Sequence, residues 1–123
     1  MKIKTLIAAG GLGKRLQGFR GNESTKVLLE VNNTPMINLQ IQKLLEWGLD
    51  DFVIITNPQY DQLIKDVTSS IQGISIDYVI QNEPKGIYHA FLQAENKVSE
   101  DEAIVCVFGD NFLGENLLNN VNF

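Results

Sequence analysis

The chain has a single cysteine, Cys106, among its 123 residues. One cysteine excludes an intrachain disulfide and fits a reducing compartment. Long apolar runs are also missing, because no stretch approaches the roughly 20 residues that a membrane-spanning helix needs. The N-terminus lacks the apolar length and the small-residue cleavage site of a secretory signal peptide. We therefore expect a cytoplasmic protein that does not enter a membrane.

Positive charge is in short supply as well. The chain has 10 Lys and Arg residues against 15 Asp and Glu residues, and its formal net charge is -5. This balance disfavours general binding to nucleic acid, so a bound polyanion would need a local basic site. The length suffices for one hydrophobic core, and the apolar and charged fractions are typical of a globular domain.

Strand patterns and helix patterns alternate along the chain. The apolar runs predict strands at 3–9, 52–55, 74–80 and 103–108. Helical spacing predicts helices from Thr34-Pro35 to Gly48, over 60–70 and over 87–97. Such alternation favours an α/β fold, a Rossmann-like three-layer α/β/α arrangement around a mostly parallel sheet. Cys106 is expected in the core of the last strand, and Trp47 is expected to pack at a helix end.

Three glycines follow the first strand within four positions, at Gly10, Gly11 and Gly13, and Lys14-Arg15 comes directly after them. Glycines let backbone N–H groups approach an anion without obstruction by a Cβ atom. The guanidinium of an arginine can grip phosphate oxygens with several donors at once. The stretch therefore predicts a loop that binds a nucleoside triphosphate.

Two better-known phosphate loops fail at specific residues. The mononucleotide P-loop would need glycine at position 8 and Ser or Thr at position 15, where the chain has Ala8 and Arg15. The dinucleotide fingerprint would need a third glycine at position 16, where the chain has Leu16. Neither template describes this loop.

The segment from Ala9 to Leu16 resembles the glycine-rich signature of the sugar-nucleotide pyrophosphorylases, which join a nucleoside triphosphate to a sugar 1-phosphate. Lys26 matches the lysine that closes this signature, and three later stretches match in the right order: 35–37, 81–90 and 107–111. Thymidylyltransferase and uridylyltransferase members look most similar. Gly18 and Thr25 stand where the family usually has prolines. Because family members are considerably longer, the resemblance covers their nucleotide-binding half, here residues 1–123.

The resemblance implies Mg²⁺-dependent transfer of a nucleotidyl group, from dTTP or UTP, to a sugar 1-phosphate with release of pyrophosphate. Arg15 would clamp the triphosphate and stabilise the leaving pyrophosphate, and Lys26 would bridge phosphate oxygens. Asp110 would bind Mg²⁺, a hard cation that prefers carboxylate oxygens. The residues implied in nucleotide binding are Ala8, Gly10, Gly11, Gly13, Gln81 and Gly86.

Within that set, Gln81 would read the base through its side chain and Gly86 through its backbone. His89, the only histidine, is expected to make a structural contact. The implied chemistry needs no general base, because the attacking phosphate oxygen is already ionised.

Two other functions stay open at this point. The chain could be a nucleotide-binding or regulatory module without turnover, or it could take part in cytidylyl transfer to a non-sugar phosphate such as phosphocholine. The sequence also leaves the oligomeric state open, with a homo-oligomer among the outcomes. An incomplete sheet would expose a strand edge, which favours non-native association.

Overall fold

The structure, a computed structural model, describes residues 2–9, 28, 30–31, 33–83 and 85–108. Its strands are β1 (Lys2–Ala8), β2 (Glu30–Val31), β3 (Thr34–Pro35), β4 (Asp51–Thr56), β5 (Ser75–Ile80) and β6 (Glu102–Phe108). Its helices are α1 (Met36–Glu46), α2 (Asp61–Thr68) and α3 (Ile87–Leu92), with a 3₁₀ turn at Glu95–Lys97. Within these ranges, no helix is both long enough and apolar enough to span a membrane.

Four strands form the main sheet in the order β5-β4-β1-β6, and all three pairings are parallel. The strands β2 and β3 pair antiparallel in a separate two-stranded ladder. A helix lies between each two sheet strands that follow one another along the chain: α1 between β1 and β4, α2 between β4 and β5, and α3 between β5 and β6, as βαβ units require. The predicted α/β fold with a mostly parallel sheet is confirmed.

The larger core lies between one face of the sheet and the helices α1 and α2. Apolar side chains of α1 recur at helical spacing, so one stripe of the helix is buried against the sheet. The buried residues of this cluster are Ile7, Ala9, Ile37, Ile41, Leu44, Leu49, Phe52, Ile54, Tyr60 and Ile64. Trp47 packs against the same cluster, as predicted. Gly48, with φ 92°, directly follows the end of this helix.

The opposite face of the sheet is covered by α3 and the turn after it. Leu6, Val53 and Ile55 alternate with the residues of the first core along their strands and pack against Ala90 and Ala94. Both faces of the central strands are therefore buried, which explains why β4 is a continuous apolar run rather than an alternating one.

The prediction that Cys106 lies in the core is wrong, because the residue is exposed. Its register partner is Leu6, so Cys106 faces the same side as α3, together with Ile104 and Phe108. These two side chains are 51% and 44% exposed. The strand β6 ends the described sheet. Ala90 of α3 packs over β1 and β4, and Phe91 meets Phe108 edge-on, with the ring centroids 6.4 Å apart. We call Ile104, Cys106 and Phe108 the open β6 face.

Two helix boundaries also differ from the predictions. The helix predicted over 87–97 ends at Leu92 and continues as a turn and a 3₁₀ segment. The helix predicted from Thr34 begins at Met36, because Thr34–Pro35 pairs with Glu30–Val31 instead.

Lys4 connects three strands at the amino-terminal edge of the sheet. Its Nζ lies 3.1 Å from a carboxylate oxygen of Asp51 and 3.7 Å from one of Glu102. Burial acts to lower the pKa of Lys4, but the hydrogen bond to Asp51 and the nearby carboxylates outweigh it, and the pKa is raised. This ion pair supports the sheet at the edge opposite to the candidate site described below.

Candidate nucleotide site

The carboxyl ends of the four parallel strands meet at one edge of the sheet. They are Ala8, Thr56, Ile80 and Phe108. In open parallel sheets, ligands bind beyond this edge, where loops leave the strands. The chain segments that follow β1, β5 and β6 are the three that the sequence predicts to carry the site.

The chain leaving β1 and the chain leaving β5 are both tied to the end of β4. The main-chain nitrogen of Ala9 donates to the oxygen of Ile55 at 2.8 Å, and that of Gln81 donates to the oxygen of Thr56 at 2.8 Å. Since neighbouring strands are about 4.8 Å apart, these two exits flank β4 at a separation of about 10 Å. The start of the glycine loop and Gln81 therefore face the same end of the sheet.

Six of the predicted site residues lie outside the described residues: Gly10, Gly11, Gly13, Arg15, Lys26 and Asp110. Their roles stay predictions. The described strands fix where two of these segments begin, because Ala9 immediately precedes the glycine loop and Phe108 precedes Asp110 by two positions. Ala8 pairs in register with Phe108, so both segments start from adjacent strands.

Gln81 and Gly86, both predicted to read the base, are in direct contact. The Nε2 atom of Gln81 donates to the main-chain oxygen of Gly86 at 3.2 Å. The same nitrogen lies 2.9 Å from Nδ1 of His89. The Gln81 residue is only 7% exposed, so its amide is held among these partners rather than by solvent.

Gly86 has a backbone conformation that residues other than glycine rarely adopt, with φ 96° and ψ 174°. A Cβ atom at this position would meet no heavy atom of the described residues within 4 Å. Backbone strain, and not crowding, therefore requires glycine here, and the space beside the residue is open. The oxygen of Gly86 also accepts the N–H of Ala90 at 3.1 Å, which ties the turn to the first turn of α3.

His89 makes the structural contact expected from the sequence, since its ring lies against Gln81. Its second ring nitrogen, Nε2, is 3.3 Å from the amide nitrogen of Gln93. Gln93 also donates to the main-chain oxygen of His89 at 3.1 Å. The sequence analysis did not single out Gln93. Gln93 follows His89 by four residues on a predicted helix, and this spacing could have predicted the contact between them.

Gln40 is a second residue that the sequence analysis missed. It lies on α1, is 3% exposed, and donates from Nε2 to the main-chain oxygen of Phe108 at 2.7 Å. This bond holds the last residue of β6, two positions before Asp110. The signal was present in the sequence, because a glutamine between Ile37 and Ile41 lies near the buried stripe of an amphipathic helix.

The end of β4 carries a buried polar pair. The hydroxyl of Thr56 donates to the carboxylate of Asp61 at 2.5 Å, and Lys65 pairs with the same carboxylate at 2.9 Å. Burial acts to raise the pKa of Asp61, but the hydrogen bonds from Thr56 and Lys65 outweigh it, and the pKa falls below its ordinary value. Asp61 is thus committed to fixing the turn between β4 and α2.

Within the described part of the chain, no group of three His, Cys, Asp or Glu side chains could hold a metal ion. The predicted ligand, Asp110, is not among those residues.

A family model described as nucleotidyl transferase matches residues 4–122. The chain belongs to the nucleotidyl transferase family. It is 36% identical over 116 residues to a glucose-1-phosphate thymidylyltransferase of Neisseria meningitidis, covering 92% of this chain and 40% of that protein. It is 27% identical over 115 residues to a UTP–glucose-1-phosphate uridylyltransferase of Haloferax volcanii, covering 94% of this chain and 46% of that protein.

Solved structures show the same kinship. A Bacillus anthracis protein, assigned provisionally as a glucose-1-phosphate thymidylyltransferase, matches with a TM-score of 0.86 and 31% identity, over 96% of this chain and 48% of that one. An inositol-1-phosphate CTP transferase of T. maritima shares the fold with a TM-score of 0.73 at 23% identity, covering 87% of this chain and 43% of that one. The chain spans less than half the length of each of these four proteins.

Proposed function

We propose that residues 1–123 form the nucleotide-binding part of a sugar-1-phosphate nucleotidyltransferase. The enzyme transfers a nucleotidyl group from dTTP or UTP to a sugar 1-phosphate and releases pyrophosphate. One observation carries the proposal: the exits of β1 and β5 are fixed on either side of β4, with Gln81 and Gly86 in contact at one exit and the glycine loop at the other. The similarity to a thymidylyltransferase and a uridylyltransferase supports the same nucleotides.

In the proposed reaction, an oxygen of the sugar phosphate attacks the α-phosphorus of the nucleotide. The bond between that phosphorus and the oxygen bridging to the β-phosphate breaks, and pyrophosphate leaves. The attacking oxygen is already ionised, so the protein contributes alignment and charge neutralisation rather than proton abstraction. Backbone N–H groups at Gly10, Gly11 and Gly13 cradle the phosphates, while Arg15 and Lys26 offset the negative charge of the leaving group.

We assign a metal-binding role to Asp110. The strand before it pairs with β1 up to Ala8 and Phe108, so its segment starts beside the glycine loop. A carboxylate placed near a triphosphate suits Mg²⁺, which prefers oxygen ligands. When bound, the ion would neutralise charge on the phosphate oxygens. Gln40 holds Phe108, the last residue of β6, which precedes Asp110 by two positions.

A second candidate is cytidylyl transfer to a non-sugar phosphate. This candidate is supported by the fold that the chain shares with the inositol-1-phosphate CTP transferase. The two candidates differ in the base, and their acceptors are both phosphates. A third candidate, a binding module without turnover, differs from both in releasing no pyrophosphate.

The test is calorimetric titration of this chain with dTTP, UTP, CTP, GTP and ATP, with and without Mg²⁺. We expect Mg²⁺-dependent binding with preference for dTTP or UTP. The variants Arg15→Ala and Lys26→Ala should weaken binding, whereas Lys97→Ala, an exposed site in the 3₁₀ turn, serves as the charge-matched control. Absence of triphosphate binding at millimolar nucleotide would contradict the proposal.

Turnover is measured separately as pyrophosphate release with a panel of acceptor phosphates. We expect slow or absent release from the 123-residue chain. In a longer version, Arg15→Ala and Lys26→Ala should each reduce the rate by about 100-fold or more, as loss of a transition-state charge contact does. Binding without release from the longer version would support the non-catalytic module instead.

A further inference from the structure

The amide of Gln81 is held in one of its two orientations by Gly86. A main-chain oxygen only accepts hydrogen bonds, and it lies 3.2 Å from the atom assigned as Nε2. Turning the amide by 180° would place two oxygens opposite each other at that distance, inside a nearly buried site. The nitrogen of the amide therefore faces Gly86.

This orientation determines which ring nitrogen of His89 carries the proton. The same nitrogen lies 2.9 Å from Nδ1 of His89, so its second N–H donates to that ring nitrogen. An imidazole nitrogen accepts only when it carries no proton. The neutral ring must then carry its proton on Nε2, on the side of Gln93.

Gln93 offers the competing arrangement, because its amide nitrogen lies 3.3 Å from Nε2 of His89. A neutral imidazole accepts through one nitrogen only. The contact to Gln81 is shorter, and Gln81 is 7% exposed, whereas Gln93 is only partly buried and already donates to the main-chain oxygen of His89. An unpaired N–H is costlier on the more deeply buried glutamine. The geometry therefore favours Nδ1 as the acceptor.

Both N–H groups of Gln81 are thus used inside the protein, and the atom left for a ligand is Oε1, an acceptor. None of the residues that the structure describes donates to this oxygen, and within the same ranges none accepts from the N–H of Gly86. None of the described residues has an atom within 4 Å of the point where a Cβ of Gly86 would lie. The site consequently offers an acceptor, Oε1 of Gln81, and a donor, the N–H of Gly86, on two residues that are in direct contact.

An acceptor beside a donor matches the neighbouring N3–H and O4 groups of uracil and thymine. Guanine has the same pair in N1–H and O6. Cytosine has the reverse pair, an unprotonated N3 beside an amino group, and would face Oε1 with an acceptor of its own. A buried site that forms hydrogen bonds with one arrangement of donor and acceptor binds a base with the reverse arrangement poorly, because the mismatched groups are left without partners.

We propose that His89 is a positioning residue for base selection: by accepting the second N–H of Gln81 at Nδ1 it holds the amide, together with the oxygen of Gly86, so that Oε1 meets the N–H of uracil or thymine and disfavours cytosine. This inference rests on the proposed function, in which Gln81 and Gly86 read the base. His89 itself touches neither the base nor the reacting phosphates.

The first test concerns the ring alone and needs no nucleotide. His89 is the only histidine of the chain, so a long-range ¹H–¹⁵N spectrum at pH 8 contains one imidazole. We expect an unprotonated Nδ1 and a protonated Nε2. A protonated Nδ1 would overturn the proposal, since Gln81 would then have to present its nitrogen to the ligand. The variant Gln81→Leu removes the donor and should shift the spectrum toward a mixture of both tautomers.

The second test compares His89→Leu with His89→Gln by titration with UTP and CTP. Leucine removes the acceptor, and we expect the ratio of the two affinities to fall about five- to tenfold. Glutamine can accept through its own oxygen and should restore most of the ratio. A merely structural role for His89 would weaken both nucleotides equally and leave the ratio unchanged, which would overturn the proposal.

The two proposals fail in distinguishable ways. A chain that binds UTP and CTP equally, or whose UTP preference survives His89→Leu, contradicts base selection through His89 and leaves nucleotide binding intact. A chain that binds no nucleotide contradicts the proposed function and base selection together. The thermal midpoint of each variant, measured by circular dichroism, identifies any loss caused by unfolding.

Discussion

Replacement of Gly86 by alanine tests most sharply the turn that we propose to read the base. With φ 96° and ψ 174°, this residue occupies a region that is almost restricted to glycine, and a side chain there costs about 1–3 kcal/mol. The added Cβ would meet no atom of the described part of the chain within 4 Å, so the cost comes from the backbone. We expect Gly86→Ala to lower the free energy of unfolding by this amount in urea titrations followed by circular dichroism.

The same substitution should also weaken nucleotide binding. Relief of the strain rotates the peptide of Gly86, whose oxygen holds both the Gln81 amide and the N–H of Ala90. We expect the affinity for UTP to fall about tenfold, which corresponds to one hydrogen bond to a buried partner.

Gly73→Ala is the matched control. Gly73 also has a positive φ, 82°, with open space around it, and it precedes β5 at the opposite edge of the sheet. It should be destabilising without changing UTP affinity. If Gly86→Ala is as stable as the parent chain, or if both variants weaken UTP binding alike, the role assigned to the turn is wrong.

Three further predictions concern other parts of the molecule. Gln40→Leu removes the bond to the oxygen of Phe108 and should weaken the Mg²⁺ dependence of nucleotide binding in calorimetry, whereas Gln42→Leu, on the exposed side of α1, should not. Asp61→Asn should lower the free energy of unfolding by about 1–3 kcal/mol at pH 7. Because folding lowers the pKa of Asp61, the ionised carboxylate stabilises the fold above its unfolded-state pKa, and this stabilisation is lost as the pH falls. The difference in unfolding free energy between Asp61→Asn and the parent chain should therefore disappear below about pH 4 in urea titrations. Cys106 should react with iodoacetamide in the native chain, more slowly than a free thiol because partial burial raises its pKa, and protection until unfolding would contradict the open β6 face.

The fold was predictable because its central strands and first helix carry strong local patterns. The run Phe52-Val53-Ile54-Ile55 has the apolar, β-branched composition of a strand covered on both faces, and it is one. The alternation of strands and helices then leaves few topologies, since parallel strands need crossover connections. The position of Gln81 and Gly86 at a strand exit followed from this alternation.

The exposure of Cys106 was not predictable from its own segment. The residues of β6 are as apolar as those of β4, but burial depends on whether another element packs over the strand. In the described sheet β6 is at the end of the strand order, and α3 meets it at Phe108, through the edge-on contact of Phe91. A local pattern carries no information about that neighbour.

The contact between Gln81 and His89 could likewise not be predicted from the sequence, although the sequence analysis singled out both residues. It depends on the turn at Gly86, whose unusual backbone conformation brings the first turn of α3 back against the end of β5. The early end of α3 at Leu92 has no Gly or Pro signal, because Gln93, Ala94 and Glu95 are all good helix formers. At this point the backbone changes to i→i−3 hydrogen bonds, from Gln93 to Ala90 and from Ala94 to Phe91.

The most direct measurement of the central claim is an amide chemical-shift map of the ¹⁵N-labelled chain during titration with UTP and Mg²⁺. The account predicts the largest changes at Ala8, Ala9, Gln81, Gly86 and His89, all at the carboxyl edge of the sheet. It predicts little change at Asp51 and Ser75, which begin β4 and β5 at the opposite edge. Changes concentrated at the opposite edge, or none at saturating nucleotide, would contradict a nucleotide site at the carboxyl edge.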